Sequence, residues 1–427
     1  LNQSPPELLV EIILVDDNSI PAAGRFPKER WERLQGELVD YLRKLPKVRL
    51  VRLGERRGLM LARMEGAWRA SAEVVVFLDS HIEATPGWLE PLLARIQEDR
   101  RHVVVPNILG IHFDNFGYQG SSGLGVLSFT WTLGQRPLPT ASDGSEIKKS
   151  PIMAGGLFAA DKAFFMKLGG YDPEMKFYGG EEMEIGFRTW QCGGDIEFVP
   201  CSRVYHIFRT STYWQGKDSA GVAYQVPGFE ITRNKLRAAA VWMDEFEPLV
   251  RYASPPLPED TTLGDLSPRI ELRRKLQCKP FRWYLKTVAK DIYVPQVEGL
   301  RAGSLKNGLL NACFDTLGGE RPGLYPCHGQ HGTQGLVIDG QGMIRIPLSM
   351  YARCLSRAEK GTVRLDTCTD KDEKGRQHWI LSDGRLQLRG SDECLHAASK
   401  MGDSIPYALR IGPCHQSLDQ KWEWQVW

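Results

Sequence analysis

No cysteine precedes Cys192 in this chain of 427 residues, and neither sign of charge is in excess, with 54 Lys and Arg against 52 Asp and Glu. A net charge of +2 gives no bulk field for holding nucleic acid. Uninterrupted apolar runs such as Val74 to Leu78 fall far short of the ~20 residues that a membrane span needs. The phosphate loop Gly-x-x-x-x-Gly-Lys-Ser/Thr, the nucleophile elbow Gly-x-Ser-x-Gly, the zinc helix His-Glu-x-x-His and any Cys-x-x-Cys are all missing. No signal peptide is readable at Leu1. What is present is a globular composition, 42% apolar and 25% charged, long enough for two or three domains.

The nine cysteines crowd toward the end, and the last six form pairs: Cys313 with Cys327, Cys354 with Cys368, Cys394 with Cys414. Each pair is followed by a glutamine, and Gln334, Gln377 and Gln420 recur at a constant spacing of 43 residues. This is an internal threefold repeat. A zinc module or a propeller of similar period is the alternative, although three units would not close a propeller. Half-cystines paired within each repeat imply an oxidising compartment.

The N-terminal two-thirds alternate strand-like and helix-like stretches. Leu9–Val15, Val48–Leu53 and Val74–Leu78 read as strands. A run with Trp31, Leu34, Leu38, Tyr41 and Leu45, a segment from Gly58 to Ala70, and a stretch after Thr85-Pro86 with Leu89, Leu92, Leu93 and Ile96 read as helices. The alternation predicts a mostly parallel sheet covered by helices, with ligands beyond the carboxyl ends of the strands.

Two acidic clusters sit at such ends. Asp16-Asp17 reads as a turn, a helix cap or a ligand contact. Asp79 and His81, one residue apart in extended chain, project to one side, and a carboxylate with a neutral imidazole suits Mn²⁺ or a similar divalent ion. His206, in Tyr205-His206-Ile207-Phe208, is the third candidate ligand, with a structural histidine as its alternative.

The repeat with Cys313-Phe314-Asp315, Cys327-His328-Gly329 and a closing Gln-x-aromatic resembles the ricin-type lectin β-trefoil. Leu14-Val15-Asp16-Asp17, Phe77-Leu78-Asp79-Ser80-His81, Trp88-Leu89-Glu90-Pro91-Leu92-Leu93, Met153-Ala154-Gly155-Gly156, Gly179-Gly180-Glu181 and Val241-Trp242-Met243-Asp244-Glu245-Phe246 together resemble the polypeptide N-acetylgalactosaminyltransferases. The resemblance spans nearly the whole chain. It implies an α/β GT-A (Rossmann-like) catalytic domain over residues 1–290, a linker over 291–305 and an all-β ricin-type β-trefoil over 306–427.

The implied activity is Mn²⁺-dependent transfer of GalNAc from UDP-GalNAc to Ser or Thr hydroxyls of peptides or mucin-like glycopeptides, with retention of configuration. By resemblance Asp79, His81 and His206 are the Mn²⁺ ligands. Asp17 and Arg56 contact the uridine half of the donor, and Ser80 the ribose or diphosphate. Ala154, Gly155, Gly156, Tyr178 and Glu181 line the sugar site, while Arg209 and Tyr224 belong to a loop closing over UDP. Asp79, Glu181 and Arg209 are the catalytic set. Asp315 and His328 are the sugar contacts of the lectin domain; Ser356 and His396, in the equivalent place of the second and third repeats, do not supply that carboxylate. Cys192 pairs with Cys278, and Cys201 pairs upstream of Leu1.

The chain departs from the family in several places, among them Gly134-Gln135-Arg136, where a second aromatic pair is usual, and Thr333, where Asn is usual in the sugar-binding trefoil repeats. Tyr178 stands where Trp is usual, Glu182 stands where Asn is common, and the loop after Arg209 is longer, holding Tyr213 and Trp214. No counterpart of the family's first strand precedes Asn2, so the sequence looks truncated, with the membrane anchor and stem of a Golgi type II protein further upstream. Two other readings stay open: a catalytically silent GalNAc-binding lectin, and a related transferase that uses another UDP-sugar.

Overall fold

The structure, a computed structural model, describes residues 1–19, 27–121, 125–139, 146–208, 226–292, 294–295, 297–346, 353–369, 375–398 and 407–426. Two units organise the chain. One comprises Leu1–Ser128, Pro137–Trp242 and Thr262–Ala289, and the other Phe129–Arg136, Met243–Thr261 and Lys290–Trp427.

In the first unit the strand–helix alternation expected from the sequence is present. Ile12–Asp16 pairs in parallel with Val48–Arg52 as a separate two-stranded sheet, and the helices Lys28–Leu42 and Leu59–Arg69 follow these strands. Leu59–Arg69 buries Met60, Arg63, Met64 and Ala67, the stripe that 3.6 residues per turn places on one face. One member of that stripe is an arginine.

Among the described residues the main sheet has seven strands, its path running Val74–Phe77, Phe158–Asp161, His102–Ile111, Asp195–Ile207 and Ile82–Ala84. It is mixed, and this corrects the expectation of a mostly parallel sheet. His102–Ile111 and Asp195–Ile207 run parallel, whereas Phe158–Asp161 is antiparallel to both its neighbours and Ile82–Ala84 is antiparallel to Asp195–Ile207. Val103, Val104 and Val105 are all buried, and a strand covered on both faces is a continuous apolar run whichever way its neighbours point. The sequence pattern therefore carried burial and not direction.

Among its described residues the second unit contains a twelve-stranded antiparallel sheet that starts at Arg301–Asn307, inside the stretch expected as linker. That first strand pairs with the last, Trp422–Val426, in register from Gly303 with Val426 to Asn307 with Trp422. Leu305, Phe314, Leu336, Leu355, Trp379, Leu395 and Trp422, drawn from all three repeats, share one core. The repeat glutamines hold equivalent positions. Gln334, Gln377 and Gln420 each donate to the carbonyl just before the second cysteine of the repeat (Pro326, Thr367, Pro413) and accept from the amide just after it (His328, Thr369, His415). The 43-residue recurrence thus marks one buried device used three times.

Four disulfides join Cys192 to Cys278, Cys313 to Cys327, Cys354 to Cys368 and Cys394 to Cys414, as the pairs were read from the sequence and the resemblance. Cys201 is exposed and unbonded.

Candidate active site

Strand register assembles the site. Phe77 stands opposite Phe158, so the residues just beyond Phe77 run beside those just before Phe158. Asp79 consequently lies against Gly156, where a Cβ would come within 2.7 Å of Asp79 Oδ2. His206 stands opposite Ile82, and the Ile207 amide donates to the His81 carbonyl at 3.1 Å, which carries both imidazoles to the same edge. Their ring centroids are 4.5 Å apart.

Asp79, His81 and His206 can each offer a ligand atom within 4.8 Å of the others. His206 Nε2 lies 3.2 Å from Asp79 Oδ2, close to the ~3 Å edge of an octahedral shell of hard and borderline donors. Among the described residues, His206 Nδ1 is buried without a hydrogen-bond partner. One carboxylate, two imidazoles and a neighbouring glycine cradle fit a divalent ion such as Mn²⁺.

Arg63 was not singled out from the sequence, yet it organises the centre. Its guanidinium donates to Asp79 Oδ1 at 2.8 Å, to the Gly156 carbonyl at 2.7 Å, to the Tyr171 hydroxyl at 2.9 Å and to the Gly155 carbonyl. Burial works to raise the Asp79 carboxyl, but the His206 hydrogen bond and the Arg63 charge outweigh it and hold the group below its usual range. The readable signal was a charged residue inside the apolar stripe of a helix, since buried arginines are held by partners.

Glu181 opens the helix Glu181–Gln191 behind Gly180, which adopts the left-handed conformation at φ 86°. It is only 2% exposed. Oε2 accepts from the Gly179 amide at 2.7 Å, and a Cβ on Gly155 would lie 3.4 Å from Oε1. Burial, and then the neighbouring Glu182, push the Glu181 carboxyl up to about 8. Asn234 holds the preceding loop, accepting from the Lys176 amide and donating to the Lys176 and Tyr178 carbonyls. The Tyr178 side chain is exposed.

Asp17 accepts from the Arg57 and Gly58 amides, each at 2.7 Å, at the start of Leu59–Arg69. Asp17 thus ties down the two residues that lead into the helix, whose N-cap Gly58 receives no side-chain cap hydrogen bond within it, so the carboxylate is a long-range tether and not a helix cap. The Arg56 guanidinium stands 5.3 Å from the Phe177 ring centroid. Ser80 is exposed, its hydroxyl 3.5 Å from His81 Nδ1, and Ala154 is buried. Arg209 and Tyr224, with Tyr213 and Trp214, lie outside the described residues.

A second grouping, His102, Asp195 and Glu197, also brings ligand atoms together. There Lys149 Nζ sits 2.6 Å from Asp195 Oδ2 and 2.8 Å from Glu197 Oε1, so a protein ammonium already supplies the cation. This grouping is an ion network.

In the first trefoil repeat, Asp315 is buried and its acceptors are engaged. Oδ1 takes the Leu317 amide at 2.7 Å, while Oδ2 takes Thr333 Oγ1 and Gln334 Nε2, each at 3.1 Å. His328 lines a surface pocket with Ser304, Gly329, His331, Gln334 and Gln425.

Comparison with known proteins agrees with both units. Residues 1–169 match the family described as Glycosyl transferase family 2, residues 141–210 the N-terminal domain of galactosyltransferase, and residues 301–422 the Ricin-type beta-trefoil lectin domain. The fold and site thus define a GT-A glycosyltransferase with an appended lectin domain. Polypeptide N-acetylgalactosaminyltransferase 12 of Mus musculus is 38% identical over 99% of this chain and 72% of its own length, and the Homo sapiens protein of that name is 38% identical over 99% and 71%. A solved structure, GalNAc-T7 with UDP, GalNAc and Mn²⁺, superposes with a TM-score of 0.73 at 29% identity, covering 99% of this chain and 77% of the other. The chain belongs to the polypeptide N-acetylgalactosaminyltransferases.

Proposed function

We propose that this chain transfers GalNAc from UDP-GalNAc to Ser or Thr hydroxyls of polypeptides, with retention of anomeric configuration. The observation that carries the reading is the Asp79, His81 and His206 constellation, buttressed by Arg63, in a chain of this family. These three side chains would hold Mn²⁺, which supplies charge compensation for the departing diphosphate.

The remaining chemistry falls to the chain itself. Arg63 occupies Asp79 Oδ1 and leaves Oδ2 turned toward His206. By pulling on the Gly155 and Gly156 carbonyls, the same guanidinium fixes the glycine wall that lets a sugar ring approach the backbone closely. Glu181, kept protonated at neutral pH by burial, offers a hydroxyl hydrogen at that wall and orients the sugar without adding negative charge beside the phosphates. Retention follows when the bond from the anomeric carbon to the β-phosphate oxygen breaks and the acceptor oxygen enters on the face just vacated, its proton passing to the released phosphate. Asp17, Arg56, Ser80, Ala154 and Tyr178 complete the donor site in this reading, and Arg209 and Tyr224 close it.

The trefoil is read as a lectin domain that directs the enzyme to acceptors already bearing GalNAc, with His328 and Asp315 at the first repeat. The acceptors are Ser- and Thr-containing peptides or mucin-like glycopeptides, and the setting is the Golgi lumen, which four disulfides suit. Among the described residues no helix is long and apolar enough to cross a membrane. Release of UDP from UDP-GalNAc, measured with and without a Ser/Thr peptide and Mn²⁺, tests the activity. Release only when both are present supports it, and silence under all conditions favours the lectin reading.

A further inference from the structure

Five buried charged side chains in the first unit take no part in the chemistry proposed above. Asp172 and Glu184 are the acids, Arg188, Arg237 and Arg269 are the bases, and none is more than 4% exposed. Two of the arginines are well satisfied. Arg188 donates to both oxygens of Glu184, at 2.9 and 2.6 Å, and to the Leu168 and Gly170 carbonyls. Arg237 donates to both oxygens of Asp172, at 2.7 and 3.1 Å, and to the Leu263 and Asp265 carbonyls. Glu184 also accepts from the Trp242 indole, and Asp172 from the Glu174 amide.

Arg269, on the helix Ser267–Lys275, is different. Its Nη1 donates at 3.0 Å to the Gly169 carbonyl, which lies between the two carbonyls that Arg188 holds. Among the described residues, its Nε and Nη2 are buried without a hydrogen-bond partner. Asp172 Oδ1 stands 3.6 Å from Nε, too far for a hydrogen bond, and it already accepts from Arg237 and the Glu174 amide. Nε and Nη2 form one edge of the planar guanidinium, the fork with which this group grips anions.

Charge decides what that fork takes. Three guanidinium groups meet two carboxylates, an excess of one positive charge, and an arginine cannot shed its proton to remove it. A water on the fork would satisfy the hydrogens and leave the excess in place, although an unpaired buried charge costs far more than an unmade neutral hydrogen bond. A divalent anion would turn the excess of one into a deficit of one.

We infer that the Nε and Nη2 edge of Arg269 binds a small monovalent anion of the halide class, chloride foremost, which completes the charge balance of the cluster formed with Asp172, Glu184, Arg188 and Arg237. The site lies outside the metal constellation and does not depend on the donor or acceptor. Its neighbours nevertheless reach toward the sugar wall. Glu184 and Arg188 belong to the helix that Glu181 opens, and Gly169 and Asp172 belong to the segment that leads to Gly179 and Gly180. An anion held there braces both.

Crystals of the whole chain grown in sodium bromide, with diffraction recorded at the bromine absorption edge, test the position. An anomalous peak within hydrogen-bond distance of Arg269 Nη2 is expected. In solution, replacing sodium gluconate by sodium chloride at constant ionic strength should raise the folding equilibrium constant of the wild-type chain, read from urea titration. The rise should be at least ~3-fold by ~200 mM chloride, the response of a site half-filled at ~100 mM or below. Arg269→Met leaves two bases against two acids, a replacement that buried charge clusters often tolerate, and it should abolish the chloride response. Absence of the bromide peak at Arg269 would overturn the inference. A peak with no chloride response in solution would mean binding at crystal concentration only and would overturn it as well, and so would a response that Arg269→Met retains. Should that variant fail to fold, the bromide peak and the chloride response of the wild-type chain still decide.

Discussion

The Arg63 guanidinium and the Asp79 carboxylate meet at 2.8 Å, with both side chains largely withdrawn from solvent. Arg63 takes one oxygen of the acid, and His206 stands 3.2 Å from the other. The arginine is a positioning residue, since it reaches the proposed metal through Asp79. Arg63→Lys keeps the charge but cannot serve Asp79, Tyr171 and two carbonyls together. It should weaken Mn²⁺ binding and lower kcat/KM by ~10–100-fold each, the range seen when an outer partner of a metal ligand is lost. Mn²⁺ titration followed by electron paramagnetic resonance checks the first effect, and unchanged affinity would reduce Arg63 to a packing role.

Gly156→Ala should be disabling while the fold persists. Its Cβ would lie 2.7 Å from Asp79 Oδ2, whereas a Cβ on Gly155 meets Glu182 Cβ at 3.1 Å and Glu181 Oε1 at 3.4 Å. We expect Gly156→Ala to lose at least ~10-fold in Mn²⁺ affinity through displacement of Asp79, and Gly155→Ala to act mainly on donor KM. Paired kinetic and metal-binding measurements on the two variants separate these outcomes; equal effects on metal binding would contradict the geometry.

Glu181 links stability to pH. Its carboxyl is raised by burial to about 8 in the folded chain, so folding favours the protonated form. That contribution is complete below the unfolded value, ~4.3, and is lost as pH rises through about 8. Glu181→Gln stays neutral and keeps an acceptor for the Gly179 amide. Between pH 5 and 9 in metal-free buffer, the variant should gain stability relative to wild type by an amount on the order of a few kcal/mol. Parallel denaturant titrations across that range would show it, and a constant difference between the two proteins would exclude the shift.

Asp17→Ala should destabilise the first unit by ~1–3 kcal/mol, because the Arg57 and Gly58 amides would lose their acceptor. Chemical denaturation measures this. A variant as stable as wild type with a raised donor KM would make Asp17 a donor contact with no structural role.

Much of this architecture was legible because it is periodic or local. The disulfide pairs and the glutamine spacing marked the trefoil, and Asp79, His81 and His206 each stood beside or within a strand with ligand chemistry of its own. What escaped was relational. Strand direction in the main sheet leaves no trace in a buried valine run such as Val103–Val105. Arg63 contacts residues as far away in sequence as Tyr171, and its partners are visible only once Val74–Phe77 pairs with Phe158–Asp161.

UDP release from UDP-GalNAc in the presence of a Ser/Thr peptide, measured against Mn²⁺ concentration for wild type, Asp79→Ala and His206→Ala, addresses the central claim most directly. The account predicts saturable Mn²⁺-dependent release by wild type, abolished by chelation, and a loss of at least ~100-fold in both variants at any Mn²⁺ concentration. Full release by either variant, or wild-type release indifferent to chelation, would contradict it.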